Sequence, residues 1–564
     1  VIAGRGVLET SAEDVLVVDI RSVSVSPPYD TSPVRLAVHA AAGLRNKELG
    51  ALVYVIASDD DEFWLNTLVP EEVRGRQMVS WQTFLESAYS DYGAVRYDPL
   101  DIPMLPSVLT TCGALGAPTI DTHTLQPMFP DTRIVFDTVL RWADPHEGVE
   151  QTSEMFLNQT TGLAIQDPNQ LKDGFLADYI TFRPLFVQFL KDQCIPKVGG
   201  RSDLRNRIDD SSWEKPVHVF GYNSLIKLFG GDVFEAETDC VLSMGQVASS
   251  QSNNFPFWSQ FESFDITAEP GLPGGPMVQT PQPPKITYSP NKTHVALVYG
   301  DMDNLNFVLG FAKDHMRYRT ARCLAEPESC FPLVWTLSPN LLLVAPSVLR
   351  WYYDTASHTG LDWFIMPPSG NLYAYPGIME DSIQDAYKTQ QDEQARFMDT
   401  IGTIHWEWLG TWGRAWETYF PRFVGGNGTR AFFLNDVPWK IPIPGMSLKG
   451  ETYRWIGPDD ARTGVVGFRP AFNWQLGFAT GGDPGNSTHI ANRINNLQVG
   501  SVQYVYIIQN TPTSAVFDMV AQLDDHVVLT NAEQLVDLAL QRNQFLASTN
   551  SRPAEAKTGR VDGQ

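Results

Sequence analysis

The stretch HVALVYGDMDN, residues 294–304, joins a buried-strand pattern to an acidic turn, and the helix-like run NLNFVLGFAKDHM follows it. Further strand-like runs come after it, with helix-like pieces between most of them. These runs are PLVWTLS (332–338), LDWFIMP (361–367), GTIHWEW (402–408), RAFFLN (430–435), GVVGF (464–468), VQYVYIIQ (502–509) and HVVLT (526–530). Short strands alternating with helices over about 250 residues are typical of a β/α barrel. We therefore predict a C-terminal β/α barrel, regular or irregular.

The first half of the chain mixes strand and helix patterns, which predicts α/β modules. The predicted strands are EDVLVVDIRSVSV (13–25), GALVYVIA (50–57) and KPVHVFGY (215–222). The predicted helices are SPVRLAVHAAAGLRN (32–46), DDDEFWLNTLV (59–69) and DYITFRPLFVQFLKDQC (178–194).

Proline and glycine dominate EPGLPGGPMVQTPQPPKITYSP, residues 269–290, as expected of a linker. The predicted organisation has five parts. They are an N-terminal α/β module (1–125), a second α/β region of one module or two small ones (126–270), the linker (271–290), the barrel-like domain (291–545) and a polar tail (546–564).

Length and composition narrow the class of protein. The 564 residues are too many for one ordinary domain, and a content of 43% hydrophobic residues is that of a globular protein. The net charge of −24 argues against a nucleic-acid partner, because phosphate binding needs clustered cations. No apolar run approaches the roughly 18 residues needed to span a bilayer, so we expect no transmembrane segment.

Two features favour a secreted or cell-surface protein. The sequence begins at Val1 rather than at methionine, which suggests that a signal peptide was removed. Sequons begin at Asn158, Asn291, Asn427 and Asn486, and they would permit glycosylation in a secreted protein. An extracellular assembly is a further expectation.

The cysteines agree with an oxidising compartment. The motif RCLAEPESCF places Cys323 and Cys330 seven residues apart across a proline-containing loop, which predicts a local disulfide. Cys194 and Cys240 could form a second pair, which would leave Cys112 over. No cysteine has a CxxC neighbour, so a zinc site is not expected.

In a β/α barrel the active site lies where the strands end and the following loops begin. Carboxylates, amides and aromatic rings occupy those positions here, and together they suit a carbohydrate. The predicted catalytic residues are Asp303, Glu407, Asp301 and Asp436. The predicted substrate-binding residues are Asn304, Trp335, Tyr373, Tyr375, Trp406 and Asn510.

Asp303 and Glu407 are the preferred catalytic pair. A carboxylate beside Trp406 and Trp408 would be desolvated, which would raise its pKa as a general acid requires. A carboxyl separation of about 5 Å would imply retention of configuration at the sugar, and about 6.5 to 9.5 Å would imply inversion.

The loop FIMPPSGNLYAYPGIM, residues 364–379, carries two of the predicted binding residues. Its prolines and glycines fix a particular loop shape. We expect them to hold Tyr373 and Tyr375 at the rim of a sugar-sized cleft, although tyrosines in turns also often pack and bond to backbone.

Several segments resemble one known family. SGNLYAYP (369–376) resembles the signature of the GxGYxYP family of putative glycoside hydrolases. VALVYGDMDNLNFVLGF (295–311) is similar to the segment that opens the family's C-terminal domain, and WTLSPNLLLVAPSVLRWYYDTA (335–356) to the segment before the signature. Residues 35–65 look like the family's N-terminal module, and residues 219–259 look like the module just before the linker. The resemblance implies a glycoside-hydrolase-like architecture and activity.

Two positions depart from the family pattern and motivate an alternative. Leu372 stands at the second glycine of the signature, and Met302 stands where the acidic turn has a glycine. The alternative is a non-catalytic extracellular structural or glycan-binding protein on the same scaffold.

Other interpretations of the acidic residues also stay open. Asp301 and Asp303 could cap the next helix, and Glu407 could be a surface carboxylate. The Asp-x-Asp-Asn turn could bind Ca²⁺ or Mg²⁺, but three adjacent oxygen donors make an incomplete shell, so we expect no cofactor. A zinc-dependent deacetylase or lyase would need paired histidines, which the strand ends lack.

Overall fold

The computed structural model describes most of the chain. The described residues are 14–23, 32–48, 52–71, 74–188, 211–221, 226–228, 231–234, 245–249, 252–407, 411–435, 452–458, 463–477, 482–508 and 511–550. Among them, no helix is both long and apolar enough to cross a membrane.

Two small parallel sheets begin the chain, with strand orders β2-β1-β3 and β5-β4-β6. Their elements are β1 (Val15–Asp19), α1 (Pro33–Lys47), β2 (Val53–Ile56), α2 (Asp59–Leu68), β3 (Arg76–Val79), α3 (Trp81–Tyr92), β4 (Ala94–Tyr97), α4 (Leu105–Leu115), β5 (Thr119–Asp121), α5 (Leu125–Met128) and β6 (Ile134–Asp137). The side chains of Ser32 and Ser58 cap α1 and α2 by accepting hydrogen bonds from backbone N–H groups. Acidic residues occupy the first turn of α2, at the positive end of the helix dipole.

A third parallel sheet follows, with strand order β12-β9-β7-β8. Its region contains α6 (Pro145–Phe156), β7 (Gly162–Ile165), α7 (Pro168–Leu171), α8 (Ala177–Phe182), β8 (Leu185–Gln188), β9 (Val217–Gly221), the antiparallel pair β10 (Ile226–Leu228) and β11 (Gly231–Phe234), β12 (Gly245–Ser249) and α9 (Phe255–Phe261).

The predictions for residues 13–69 are confirmed over their described part, and so is the strand at β9. The continuous helix predicted over 178–194 is wrong. Helix α8 ends at Phe182 and β8 begins at Leu185. Pro184 explains the break, because it disfavours helical geometry at Arg183, whose φ and ψ of −105° and 104° are extended.

The C-terminal half again alternates strands and helices. In order they are β13 (Thr293–Tyr299), α10 (Leu305–Phe307), α11 (Lys313–Ala325), β14 (Leu333–Thr336), α12 (Leu341–Val344), α13 (Pro346–Ser357), β15 (Asp362–Ile365), α14 (Asp381–Phe397), β16 (Gly402–His405), α15 (Trp412–Arg414), β17 (Ala431–Leu434), β18 (Tyr453–Ile456), β19 (Val465–Phe468), β20 (Pro470–Trp474), α16 (Ser487–Asn495), β21 (Val502–Ile507), α17 (Thr513–Val520), β22 (Val527–Thr530) and α18 (Ala532–Asn550). Short 3₁₀ turns lie at Ile102–Met104, Leu157–Gln159, Pro327–Ser329, Pro376–Ile378 and Phe420–Phe423, and π turns at Val308–Ala312 and Ala415–Tyr419.

These strands form two sheets, parallel except for the β18–β19 pair. One has the order β15-β14-β13-β21-β20, with β22 also on β13, and the other has the order β16-β17-β19-β18. Across the described residues, one parallel bridge, Met366–Thr403, connects them. All the predicted C-terminal strands are confirmed, whereas β18 and β20 were not predicted. The described strands show a mostly parallel α/β fold, and their ladders do not show a closed barrel.

The two faces of these strands belong to different cores. One face forms what we call the inner cluster, which includes Ala296, Val298, Val334, Ile365, Ile404, Phe433, Phe468, Tyr504, Tyr506 and residues of α18. Successive side chains of a strand point to opposite faces. Leu297 and Tyr299 of β13 therefore pack on the other side, in a large core that also contains first-half residues such as Trp64.

The predicted linker residues 271–290 contain no helix or strand, yet they form hydrogen bonds with the C-terminal half. Met277 N–H donates to the Phe397 carbonyl at 2.8 Å. The Gln279 amide accepts from Phe364 N–H at 2.7 Å and donates to the Phe364 carbonyl at 3.1 Å. This stretch therefore packs along β15.

Candidate functional site

Polar side chains gather where the inner face reaches the carboxyl ends of the strands. Trp406 packs against the inner cluster, and Ser369, Asn435 and Asn473 follow or end neighbouring strands. We call this set the inner polar layer: Asp301, Ser369, Trp406, Asn435, Asn473 and Tyr506.

Asp301 is fixed by Tyr506. The Tyr506 hydroxyl donates to Asp301 Oδ1 at 2.5 Å and accepts from Asp301 N–H at 3.0 Å. Asp301 has φ of +65°, an uncommon conformation that Asp tolerates better than most residues. A Cβ at Gly300 would lie 2.0 Å from the Tyr506 ring, so only glycine permits this approach of backbone to phenol.

The negative charge of Asp303 affects the pKa of the same tyrosine. Burial raises the pKa of Tyr506 well above its usual value, and the negative charges of Asp301 and Asp303 raise it further. The structure thus brings two of the four predicted catalytic carboxylates to one buried phenol.

The neighbours of these carboxylates have structural roles. Asn304 caps α10, because its side-chain oxygen accepts from Asn306 N–H at 2.9 Å. Met302 has no exposed surface and lies in the large core, while its N–H donates to Thr336 Oγ1 at 3.2 Å. The methionine that replaces a glycine of the family pattern therefore points into the core.

Asn435 and Asn473 extend the layer across both sheets. Asn473 Nδ2 donates to Asn435 Oδ1 at 2.8 Å, and Asn473 is paired with Tyr506 in the β20–β21 ladder. Among the described residues, Asn473 Oδ1 is buried without a hydrogen-bond partner, and so is the indole N–H of Trp406. Buried polar atoms without partners are costly, and at a site they are groups that a ligand can satisfy.

The signature loop, residues 366–379, connects to this layer through Ser369. Its hydroxyl donates to the Trp406 carbonyl at 2.9 Å and accepts from Trp406 N–H at 2.8 Å. Gly370 has φ of +120°, and a Cβ there would lie 2.3 Å from Gln391 Oε1, so the position requires glycine. Leu372, which replaces the second signature glycine, lies in the large core.

Tyr373 and Tyr375 do not stand at an open rim. Their exposed fractions are 4% and 5%, and their hydroxyls are 2.8 Å apart. Both rings belong to what we call the interface cluster, formed with first-half residues of and near β7, β8 and β9: Val149, Leu163, Ile165, Phe186, Trp213, Val217 and Val219. Packing of the two tyrosines, the second interpretation of the loop, is what this arrangement supports.

Glu407 lies on the opposite face from the inner polar layer. It is fully buried beside His405, whose ring packs on Trp412 and Phe420. Glu407 Oε1 accepts from Gly377 N–H at 2.7 Å and lies 2.9 Å from His405 Nε2, and Oε2 accepts from Thr411 at 2.9 Å. A carboxylate with three partners and no exposure holds the signature loop and has no free oxygen to offer a substrate.

Trp335 is also a core residue. It has no exposed surface, its ring packs on Tyr299, and its indole N–H donates to Asp362 Oδ1 at 2.7 Å. Asp362 in turn pairs with the fully buried Arg319 at 2.6 Å. The ring that was predicted to stack on a sugar has no free face, because strand alternation turns it away from the inner cluster.

The remaining predicted residues divide into three groups. Asp436, Asn510, Cys194 and Cys240 lie outside the described residues. All four sequon asparagines are exposed, and the Asn486 side chain caps α16. The disulfide between Cys323 and Cys330 is formed, and Cys112 is buried as a free thiol. Within the described ranges, no group of three or more His, Cys, Asp or Glu side chains is arranged to hold a metal ion.

A separate polar cleft of about 210 Å³ lies at the amino end of β17, whereas the inner polar layer lies at the carboxyl ends of the strands. Its lining residues are Lys388, Thr389, Asp392, Glu393, Arg396, Asn427 and Gly428.

Residues 291–437 match the model of the GxGYxYP putative glycoside hydrolase C-terminal domain. This confirms the resemblance to the GxGYxYP family. Among solved structures, the chain is similar to a putative hydrolase from Bacteroides thetaiotaomicron VPI-5482, with 18% identity and a TM-score of 0.72 over 94% of this chain and 95% of that one. At this identity the likeness shows the fold alone. A search of curated proteins found no match.

The GxGYxYP segment, residues 291–437, contains only part of the inner polar layer. Asp301, Ser369, Trp406 and Asn435 lie inside it, whereas Asn473 and Tyr506 come from later strands. Sequence reasoning missed both later residues. Tyr506 was available as an inward position of the predicted strand VQYVYIIQ, but β20, which carries Asn473, was not predicted.

Proposed function

We propose that this chain is a glycoside-hydrolase-like protein that binds a carbohydrate at the inner polar layer and hydrolyses it there. The observation that carries the proposal is the hydrogen bond from the buried Tyr506 hydroxyl to Asp301, with Asp303 as a second negative charge that raises the pKa of the same phenol. A tyrosine hydroxyl that donates to a carboxylate orients it and favours its charged form. Asp301 is therefore the candidate nucleophile or base.

Asp303 is the candidate acid, with Asp436 as the other carboxylate for that role. Glu407 is not proposed for this role, because its oxygens already accept hydrogen bonds from the signature loop and Thr411. Acid and base from two carboxyls are the minimum that glycosidic cleavage requires, and their separation would set the stereochemical outcome.

Sugar recognition is assigned to the amide and aromatic groups of the same layer. Asn435 and Asn473 can donate to and accept from hydroxyls, and the indole N–H of Trp406 can donate to one. A ligand rich in hydroxyl groups suits this mixture better than an apolar one does.

The surrounding architecture is part of the proposal. We infer that the two C-terminal sheets close into a barrel, supported by the Met366–Thr403 bridge and by the short connection from β19 to β20. Secretion is supported by the Cys323–Cys330 disulfide, because such bonds persist in oxidising compartments. The exposed sequon asparagines would then be available for glycosylation.

The experiment is binding and hydrolysis on a glycan array, with the wild type compared with Asp301→Asn and Asp303→Asn. We expect each variant to lose about 100-fold or more in hydrolysis while binding persists, as for removal of acid or base groups. Asp518→Asn, an exposed carboxylate on α17, is the matched control and should be unchanged.

A second function, non-catalytic glycan binding, is favoured by the sequestered Glu407 and by the buried signature tyrosines. It predicts binding without cleavage in the wild type. A wild-type protein that neither bound nor cleaved any glycan would contradict both functions.

A further inference from the structure

The signature loop is covered by the sheet β12-β9-β7-β8 of the first half. Asn371, in the middle of the loop, is only 6% exposed, and Gln246 of β12 is 1% exposed. The two side chains meet directly, since Asn371 Nδ2 donates to Gln246 Oε1 at 2.7 Å. A loop of the C-terminal half therefore has a buried polar partner about 125 residues earlier in the chain.

Gln390 of α14 closes this contact into an amide triad. Gln246 Nε2 donates to Gln390 Oε1 at 2.8 Å, and Asn371 Nδ2 reaches the same oxygen at 3.3 Å. Gln246 Nε2 also lies 3.4 Å from the Pro216 carbonyl, beside β9. Gln246 thus joins the first-half sheet to both the loop and the helix that follows it.

Apolar contacts surround the triad. Tyr373 and Tyr375 are two and four residues beyond Asn371, and both rings lie in the interface cluster with Val217 and Val219 of β9. The amide contacts have a specific geometry within this apolar surface, because each depends on one donor and one acceptor. Apolar packing alone would not fix the loop with that precision.

The same loop continues to the inner polar layer. Ser369, two residues before Asn371, bonds to both the N–H and the carbonyl of Trp406. Trp406 packs against both the inner cluster and the interface cluster, and its ring lies 5.4 Å from that of Tyr373. A continuous set of contacts therefore runs from β12 to the site.

We propose that Gln246 is a positioning residue for the carbohydrate site, holding Ser369 and Trp406 in place through Asn371. The site is then built by both halves of the chain, although the family signature lies in one. This proposal rests on the proposed function only for the identity of the ligand, because the effect of Gln246 on the signature loop can be measured without any ligand.

The test compares full-length Gln246→Leu with a matched control, Val187→Ala. Leucine keeps most of the side-chain volume and removes the amide. Val187 is fully buried in β8 of the same sheet, but it lies in the large core and not in the interface cluster that holds Tyr373 and Tyr375. Hydrogen–deuterium exchange of the peptide spanning residues 366–379, melting temperature and glycan affinity are measured for each.

We expect Gln246→Leu to speed exchange of this peptide about tenfold, the size expected when one buried hydrogen-bond partner is lost. Val187→Ala should lower the melting temperature without that local effect. Combining Gln246→Leu with Asn371→Ala should add little to either alone, because both remove the same bond.

Equal exchange in Gln246→Leu and Val187→Ala would overturn the proposal, and so would faster loop exchange with unchanged glycan affinity. A wild-type chain that binds no glycan would contradict the proposed function instead. The exchange comparison would in that case still decide whether Gln246 holds the loop.

Discussion

Asp301 and Glu407 both follow the end of a parallel strand, yet they lie on opposite faces of the C-terminal sheets. Asp301 joins Tyr506 at the inner polar layer, whereas Glu407 is enclosed beside His405 and the aromatic rings of Trp412 and Phe420. One carboxylate stands beside a second one, and the other holds a loop. Position after a strand therefore does not tell which groups a carboxylate will meet, because that depends on the face of the sheet that it joins.

The largest expected effect is a loss of stability when Glu407 is replaced. Glu407→Ala should lower the free energy of unfolding by about 3 kcal/mol or more, because Gly377 N–H and Thr411 lose a buried acceptor. Denaturant unfolding measures it, with the exposed Glu328→Ala as a control expected within about 0.5 kcal/mol of the wild type. Unchanged stability would mean that Glu407 does not hold the loop.

Asp178 is a third carboxylate, which is buried like Glu407 but has a like charge nearby. Burial raises the pKa of Asp178 to about 7, and the negative charge of Asp61 contributes, while N–H donors such as Asn254 oppose the rise. In the unfolded chain an aspartate titrates near 3.9. The folded state therefore holds its proton to higher pH, and this stabilisation, complete below about pH 4, is lost as pH rises through 7.

We expect the unfolding free energy to fall by about 3 kcal/mol between about pH 4 and 7 from this group alone. Asp178→Asn should remove that part of the pH dependence, and Asp518→Asn should retain it. Unfolding titrations at several pH values give both slopes. An unchanged slope in Asp178→Asn would assign the dependence to other carboxyls.

On the inner side the expected change is in chemistry rather than in stability. Tyr506→Phe removes the hydroxyl that donates to Asp301 and should slow hydrolysis about 10- to 100-fold, while costing about 1 kcal/mol in stability. Tyr504→Phe is a close control, since Tyr504 lies on the same strand face and donates to the Leu434 carbonyl. Equal rates in both variants would remove Tyr506 from the site.

The smallest expected effect concerns Asn473. Because Asn473 Oδ1 has no partner in the described part of the chain, Asn473→Ala loses one described side-chain hydrogen bond, to Asn435, and should change stability by less than about 1 kcal/mol. Glycan affinity should fall about threefold to tenfold, for loss of one neutral hydrogen bond to the ligand. The exposed Asn492→Ala is the control, and the same affinity in both would place the sugar elsewhere.

Sequence patterns predicted the strands well because β13, β14 and β21 are apolar runs bounded by polar turns. They failed at β20, whose sequence PAFNW begins with proline and alternates weakly. The site was harder to predict. The contacts of Glu407 depend on which face of β16 it follows, and those of Tyr373 depend on a sheet formed much earlier in the chain. Neither is a local property of the sequence.

The Gln279 amide bonds both backbone groups of Phe364, as a neighbouring strand would. Strand β15 lies at the end of its strand order, and Phe364 is only 1% exposed, so its backbone groups need partners from within the chain. One side chain of the proline- and glycine-rich stretch thus takes the place of a partner strand at Phe364. Gln279→Ala should leave the buried Phe364 N–H without its acceptor and lower the melting temperature, so residues 271–290 belong to the C-terminal fold as a partial partner strand of β15.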